Sequence, residues 1–202
     1  LLNMNGSETI ITESAPTWTL VKGIGVPKGD EYQVYAPNQN ENIYTREWTG
    51  PFYGFERVIE TFKLTETPHR FKPVNIYYHT YIASKTAALE SLLTVYRWAQ
   101  SQPLHPVFAS DYARKVLDFN TMVIAREGNS WRIKGEGQLR TLRLPDALAL
   151  PSLPGSKGIA GYREDGPGRY VHLSANEARW EPGPAPVPYL QQANARLTMF
   201  AR

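Results

Sequence analysis

Apolar residues recur most regularly between Lys85 and Gln100, where Ala88, Leu89, Leu92, Val95, Tyr96 and Ala99 fall at helical spacing. This predicts an amphipathic helix, with Ser84 as N-cap and Pro103 just beyond the end. Upstream, Val74-Asn75-Ile76-Tyr77-Tyr78 reads as a strand closing on His79. Downstream, Val107-Phe108-Ala109 reads as a short strand, and Ser110 as the cap of a helix carrying Ala113, Val116 and Leu117. Strand, helix, strand, helix in close succession predicts parallel βα units.

The two flanks differ from this middle. Residues 1–73 read as irregular: short strands at Leu1 to Met4, Ile10 to Thr12 and Tyr32 to Tyr35, the last alternating as a half-buried strand. A loop punctuated by Gly23, Gly25, Pro27 and Gly29 is expected before that strand, and aromatic loop residues at Trp48 to Phe55 after it. From Met122 the chain predicts short strands at 122–126, 131–134, 138–144, 157–162, 169–173 and 197–201. Turn signals such as Glu127-Gly128-Asn129, Gly135-Glu136-Gly137 and Asp165-Gly166-Pro167-Gly168 separate them, the pattern of an antiparallel sandwich. The Pro-rich run 181–188 reads as a surface crossing. The expected fold class is therefore α/β followed by all-β, with domains at 1–118 and 119–202.

Composition narrows the function classes. A formal charge of +3, with basic and acidic residues interspersed, gives no nucleic-acid footprint. There is no Cys, so disulfides and thiolate sites are excluded. No apolar run reaches the roughly 18 residues of a membrane span. The aromatic share is high, with 12 Tyr and 5 Trp, and aromatic faces suit both cores and pyranose rings.

His79, at the end of its expected strand, is placed for acid–base work near neutral pH or for metal binding; a hydrogen-bonded strand-end His is the structural alternative. His69, His105 and His172 have no partner at ligand spacing, so no metal site is expected from this chain alone. Gly23-Ile24-Gly25 lacks the rest of a dinucleotide fingerprint, and no nucleophile elbow occurs. Glu41, Glu47 and Glu56 read as solvated loop carboxylates.

The run Val74 to Tyr81, with Lys85 and Ala87-Ala88-Leu89, resembles the late part of the deacetylase domain in Pel-type exopolysaccharide deacetylases. So do Asn3-Met4-Asn5-Gly6, residues 34–42, Trp48 to Phe55 and residues 107–112; 142–145 and 158–162 resemble the β-sandwich that follows in that family. The resemblance implies late βα units of a distorted (β/α) barrel of the NodB type plus a sandwich, in a periplasmic protein acting on an amino-sugar polysaccharide of biofilm matrix. It implies a divalent, zinc-like metal in the full-length parent, held by one Asp and two His, with a second Asp as base. A late His protonates the leaving amine, and His79 matches it. Trp48, Tyr53, Tyr77 and Tyr81 become groove-lining candidates, with Asn3 and Asn5 at another strand end. Neither an Asp-Asp nor a His-x-x-x-His motif is present. The chain, opening on Leu1-Leu2-Asn3, is thus expected to follow those motifs, to bind no metal itself, to be inactive alone, and to pair with the N-terminal part of its parent. Two other classes remain open: a non-catalytic carbohydrate-binding or scaffold module, and the tail of a barrel glycoside hydrolase.

Overall fold

Helices and small sheets are mixed in the computed structural model, which describes residues 2–7, 23–37, 55–66, 69–166 and 168–183. Two compact units are present, Leu1–Val116 and Leu117–Arg202. Among the described residues the sheets are three-stranded and none closes into a barrel.

In the first unit, β1 (Met4–Ser7), β2 (Gly25–Lys28) and β3 (Glu31–Pro37) form a sheet in the order β1-β3-β2. β1 runs parallel and β2 antiparallel to β3. The loop expected around Gly23 to Gly29 is thus largely a strand. Gly25 and Pro27 mimic breakers, yet each has a place there. A Cβ at Gly25 would collide with the Tyr32 ring, and Pro27 sits on an edge strand, where a missing N–H is tolerated. β3 does not alternate, because as the central strand it is buried from Gln33 to Pro37. Tyr112 donates its hydroxyl to the Tyr35 carbonyl at 2.7 Å, tying the helix Ala109–Thr121 to this strand.

A helical cluster forms the rest of the core. A 3-10 turn, Phe55–Arg57, leads into α1 (Val58–Leu64), an element absent from the sequence reading because seven residues give too short a period to register. Phe55, Val58 and Phe62 lie on its buried side. They meet Ala88, Leu92 and Val95 of α2 (Thr86–Gln100), the predicted helix, and Trp98 stacks on Phe62 with centroids 5.5 Å apart. Ser84 is not its cap: Lys85 holds that position without a side-chain bond, and the Ser84 hydroxyl donates to the Tyr81 carbonyl.

α3 (Ala109–Thr121) starts directly after Phe108, whose carbonyl accepts from the Asp111 and Tyr112 amides. Those first-turn bonds replace the strand expected at 107–109 and place Ser110 inside the helix. Val74 to Tyr78 pairs with no described strand either; Val74 and Ile76 pack on the helical cluster instead. The only parallel pairing among described residues is β1 with β3, so no βα unit is built on residues 74–109.

The second unit contains β4 (Val123–Glu127), β5 (Ser130–Lys134), β6 (Thr141–Leu144), β7 (Ile159–Asp165), β8 (Gly168–Leu173) and β9 (Glu177–Trp180). They form two antiparallel sheets, β4-β5-β9 and β6-β8-β7. Ile133, Ala178 and Trp180 from the first and Leu144, Val171 and Leu173 from the second share one apolar core with Leu150. Trp131 stacks on Trp180 at 6.3 Å. The β4–β5 turn holds Gly128 at φ 61°, in the left-handed region that glycine enters freely.

Gly135-Glu136-Gly137 is not a hairpin turn, since β5 and β6 belong to different sheets. It is a crossing loop closed by Asp118, whose carboxylate accepts from the amides of Glu136 (2.6 Å), Gln138 (2.6 Å) and Leu139 (2.8 Å). Those bonds also shorten the strand expected from Gln138, which begins at Thr141. Burial pushes the Asp118 carboxyl up, but the amides of Leu139, Glu136, Gln138 and Gly137 outweigh it and hold the group below the usual aspartate range. β9 lies outside the predicted strands because Ala178 and Trp180 are its only apolar residues. The expected strands at 10–12 and 197–201 and the run 184–188 lie outside the described residues.

Candidate functional site

The site grows from an extended segment, Pro73 to His79, fastened at several points. Buried Lys72 donates its ammonium to the Gly23 carbonyl at 3.1 Å, and Asn75 donates to the Pro37 carbonyl at 3.1 Å. Burial holds the Lys72 amine below its ordinary pKa. Val74, Ile76 and Tyr78 share one side of the segment. The first two pack on the helical cluster and Tyr78 meets Tyr96 of α2 edge-on at 6.3 Å. Burial first, then the hydrogen bond and charge of Tyr78, push the Tyr96 phenol up.

Tyr77 and His79 take the other side by the two-residue alternation of extended chain. His79 keeps extended dihedrals (φ −94°, ψ 147°) and precedes the 3-10 turn Thr80–Ser84; its carbonyl accepts from the Ile82 amide at 3.0 Å. Ile82 is 2% exposed and anchors that turn in the core. The backbone at His79 is therefore fixed from below while its ring stands in solvent.

That ring is bracketed by phenols. Nε2 lies 3.2 Å from the Tyr77 hydroxyl and Nδ1 lies 3.3 Å from the Tyr81 hydroxyl. Tyr81 also stacks on the imidazole, 5.1 Å away and 7° from parallel, while Tyr77 meets it edge-on. A neutral imidazole has one donor and one acceptor nitrogen, so one phenol donates to the ring and the other accepts from it; in the imidazolium both accept. The trio thus holds both ring nitrogens at a fixed exposed place. Tyr77, Tyr78 and Tyr81 are all exposed, and their faces suit an apolar sugar face.

The structure brings Tyr77, His79 and Tyr81 into contact. Asn3 and Asn5 form a separate pair, donating to the Gln33 side-chain carbonyl at 3.0 and 3.4 Å. Asn5 is inside β1 rather than at its end, because the strand starts at Met4. Trp48 and Tyr53 lie outside the described residues. Glu56 is not a solvated loop carboxylate: it sits half-buried in the 3-10 turn, where burial pushes its pKa up against a hydrogen bond with Thr94. Lys72 and Tyr78 were missed as parts of the site. Lys72 gave no local signal, whereas the side assigned to Tyr78 follows from its spacing to Ile76.

Among the described residues no three His, Asp or Glu side chains gather in a set that holds a metal. No helix of those residues is long and apolar enough to cross a membrane. No family model, curated protein or solved structure matches the chain.

Proposed function

We propose that the chain is the late portion of a metal-dependent polysaccharide N-deacetylase that acts in the periplasm on an N-acetylated amino-sugar exopolysaccharide of biofilm matrix. Under this reading the first unit belongs to a distorted (β/α) barrel completed elsewhere in the parent, and the second is an accessory β-sandwich. The observation that supports it is the His79 ring, exposed, fixed at its backbone and held between the hydroxyls of Tyr77 and Tyr81.

Deacetylation consumes water and yields acetate and a free amine. The step assigned to this chain is delivery of a proton to nitrogen as the C–N bond breaks. A bare amide anion is a poor leaving group, and protonation at that moment removes the difficulty. Either phenol moves aside to free a ring nitrogen, and the other keeps the imidazole oriented. The exposed Tyr faces receive the sugar. The described residues offer no ligand set for the metal that the resemblance implies, so no step here runs through it; metal and base are assigned to the rest of the parent.

The test is acetate release from an N-acetylated amino-sugar oligomer by the full-length parent. Chelator-sensitive release is expected, with His79→Ala lowering it ~10²–10⁴-fold and leaving metal content unchanged. Release at the wild-type rate removes His79 from the mechanism. Polymer bound without release moves the reading to a carbohydrate-binding module, which the exposed tyrosines would also serve.

A further inference from the structure

Three cations stand in line across the second unit's β4-β5-β9 sheet. Arg132 of β5 is directly opposite Arg179 of β9, and Arg179 is opposite Lys157, which joins the sheet edge by an isolated bridge. The two backbone bonds of that bridge are 2.8 Å each. All three side chains are exposed, whereas the intervening Ile133, Ala178 and Trp180 are buried, so the row lies on the face away from the core. Ala125 of β4, opposite Arg132, closes the row with a small exposed side chain. Above it runs a groove of about 490 Å³, lined by Glu127, Arg132, Lys157, Glu177, Ala178 and Arg179.

Like charges directly opposite on neighbouring strands work against a sheet, and the carboxylates beside the row offset part of that cost. The carboxylates flank it and do not interrupt it. Glu177 pairs with Arg132 at 2.6 Å, and Arg179 pairs with Glu181 at 2.9 Å and, at 3.9 Å, with Glu127. Each pair orients a guanidinium, and Arg179 also donates to the Ser130 hydroxyl at 3.2 Å. Lys157 forms no ion pair with any described residue.

We propose that this row binds a carboxylate-bearing polysaccharide, a chain of uronate residues laid across the strands. Adjacent strands are ~4.8 Å apart, so the three cations span roughly 10 Å on one face, where they meet the carboxylates on the facing side of an extended chain. Nucleic acid fits less well. Single strands need aromatic platforms, and both tryptophans of this sheet, Trp131 and Trp180, lie on the core-facing side by register with buried residues. A duplex site spends roughly 6–10 phosphate contacts, more than three part-neutralised cations supply. The site is in a different unit from His79 and stands independently of the deacetylase reading.

The test is calorimetric titration of the whole 202-residue chain with oligogalacturonate at low salt. Binding is expected, and it is lost near ~1 M salt, where the screening length shrinks to about 3 Å. Lys157→Glu lowers affinity about tenfold, and Ala125→Lys, which extends the row, raises it about threefold. Melting curves check that both variants stay folded. No binding, equal binding of the methyl-esterified oligomer, an unaltered affinity in both variants, or tighter binding of a single-stranded oligonucleotide would each overturn the assignment.

Discussion

β5 and the segment Pro73 to His79 are both short runs rich in aromatic and β-branched residues, and both put alternate side chains into a core. β5 is paired to β4 along its whole length and to β9 from Trp131 to Lys134. The segment is paired to no described strand and is held by side chains: Lys72 on Gly23, Asn75 on Pro37, Ile76 on the helical cluster. Alternation therefore reports which way side chains face, while pairing depends on a partner strand elsewhere. The comparison also separates roles, since the laddered strand presents its exposed side as a regular row and the unladdered one offers a cluster of rings around His79.

The sharpest way to break this contrast is to empty each core position. Ile133→Ala is expected to cost about 2–5 kcal/mol, because Ile133 is 1% exposed in the middle of the second unit. Ile76→Ala, at a half-buried position, is expected to cost only about 1–2 kcal/mol. Amide exchange at residues 74–79 should be faster than in β5. Denaturant melts and exchange measured together decide it. Equal costs with equal protection would show that the segment has a ladder after all.

A second difference is electrostatic and has opposite signs in the two units. Asp118 has a lowered folded pKa, so its contribution is complete above the ordinary aspartate pKa and is lost as pH falls through the folded value. Asp118→Asn, which turns an acceptor into a donor facing backbone amides, should cost about 1–3 kcal/mol near pH 7 and flatten the second unit's acid limb. Glu56 has a raised folded pKa, so its contribution is present below the ordinary glutamate pKa and is lost as pH rises through the folded value. Glu56→Gln should therefore stabilise the first unit at neutral pH. Melts from about pH 3 to pH 7 that show the same slope in both units would refute this account.

The smallest effect is local. Gly128→Ala meets no neighbouring atom but inherits φ 61°, so a cost of ~1–2 kcal/mol from backbone strain alone is expected, with β4 and β5 still paired. A neutral outcome in urea melts would mean that the turn relaxes out of the left-handed region.

Legibility in the sequence followed the range of the interactions. α2 was readable because its period and its stop at Pro103 are contained in one stretch. The β4–β5 and β7–β8 hairpins were readable because Gly128 and Gly166 sit between the strands they join. The loop after β5 was misread because its partner, Asp118, lies 18 residues before Glu136. β2 was hidden because Gly25 answers to Tyr32 across the hairpin. At the site, proximity of residues 77, 79 and 81 was implicit in their spacing; the anchoring of Lys72 to Gly23, 49 residues away, was not.

The stacked indoles of Trp131 and Trp180 give the second unit its own optical label. With rings 6.3 Å apart, their transitions couple, and a circular-dichroism couplet is expected only while β5 and β9 stay paired. Trp180, 4% exposed, should emit to the blue and resist collisional quenchers. Trp98 stacks on Phe62, whose absorption lies well to the blue, so it contributes emission without a couplet. With Trp18, Trp48 and Trp98 replaced by Phe, couplet and emission would both come from this one pair of indoles, so the melting of the second unit alone could be followed within the whole chain.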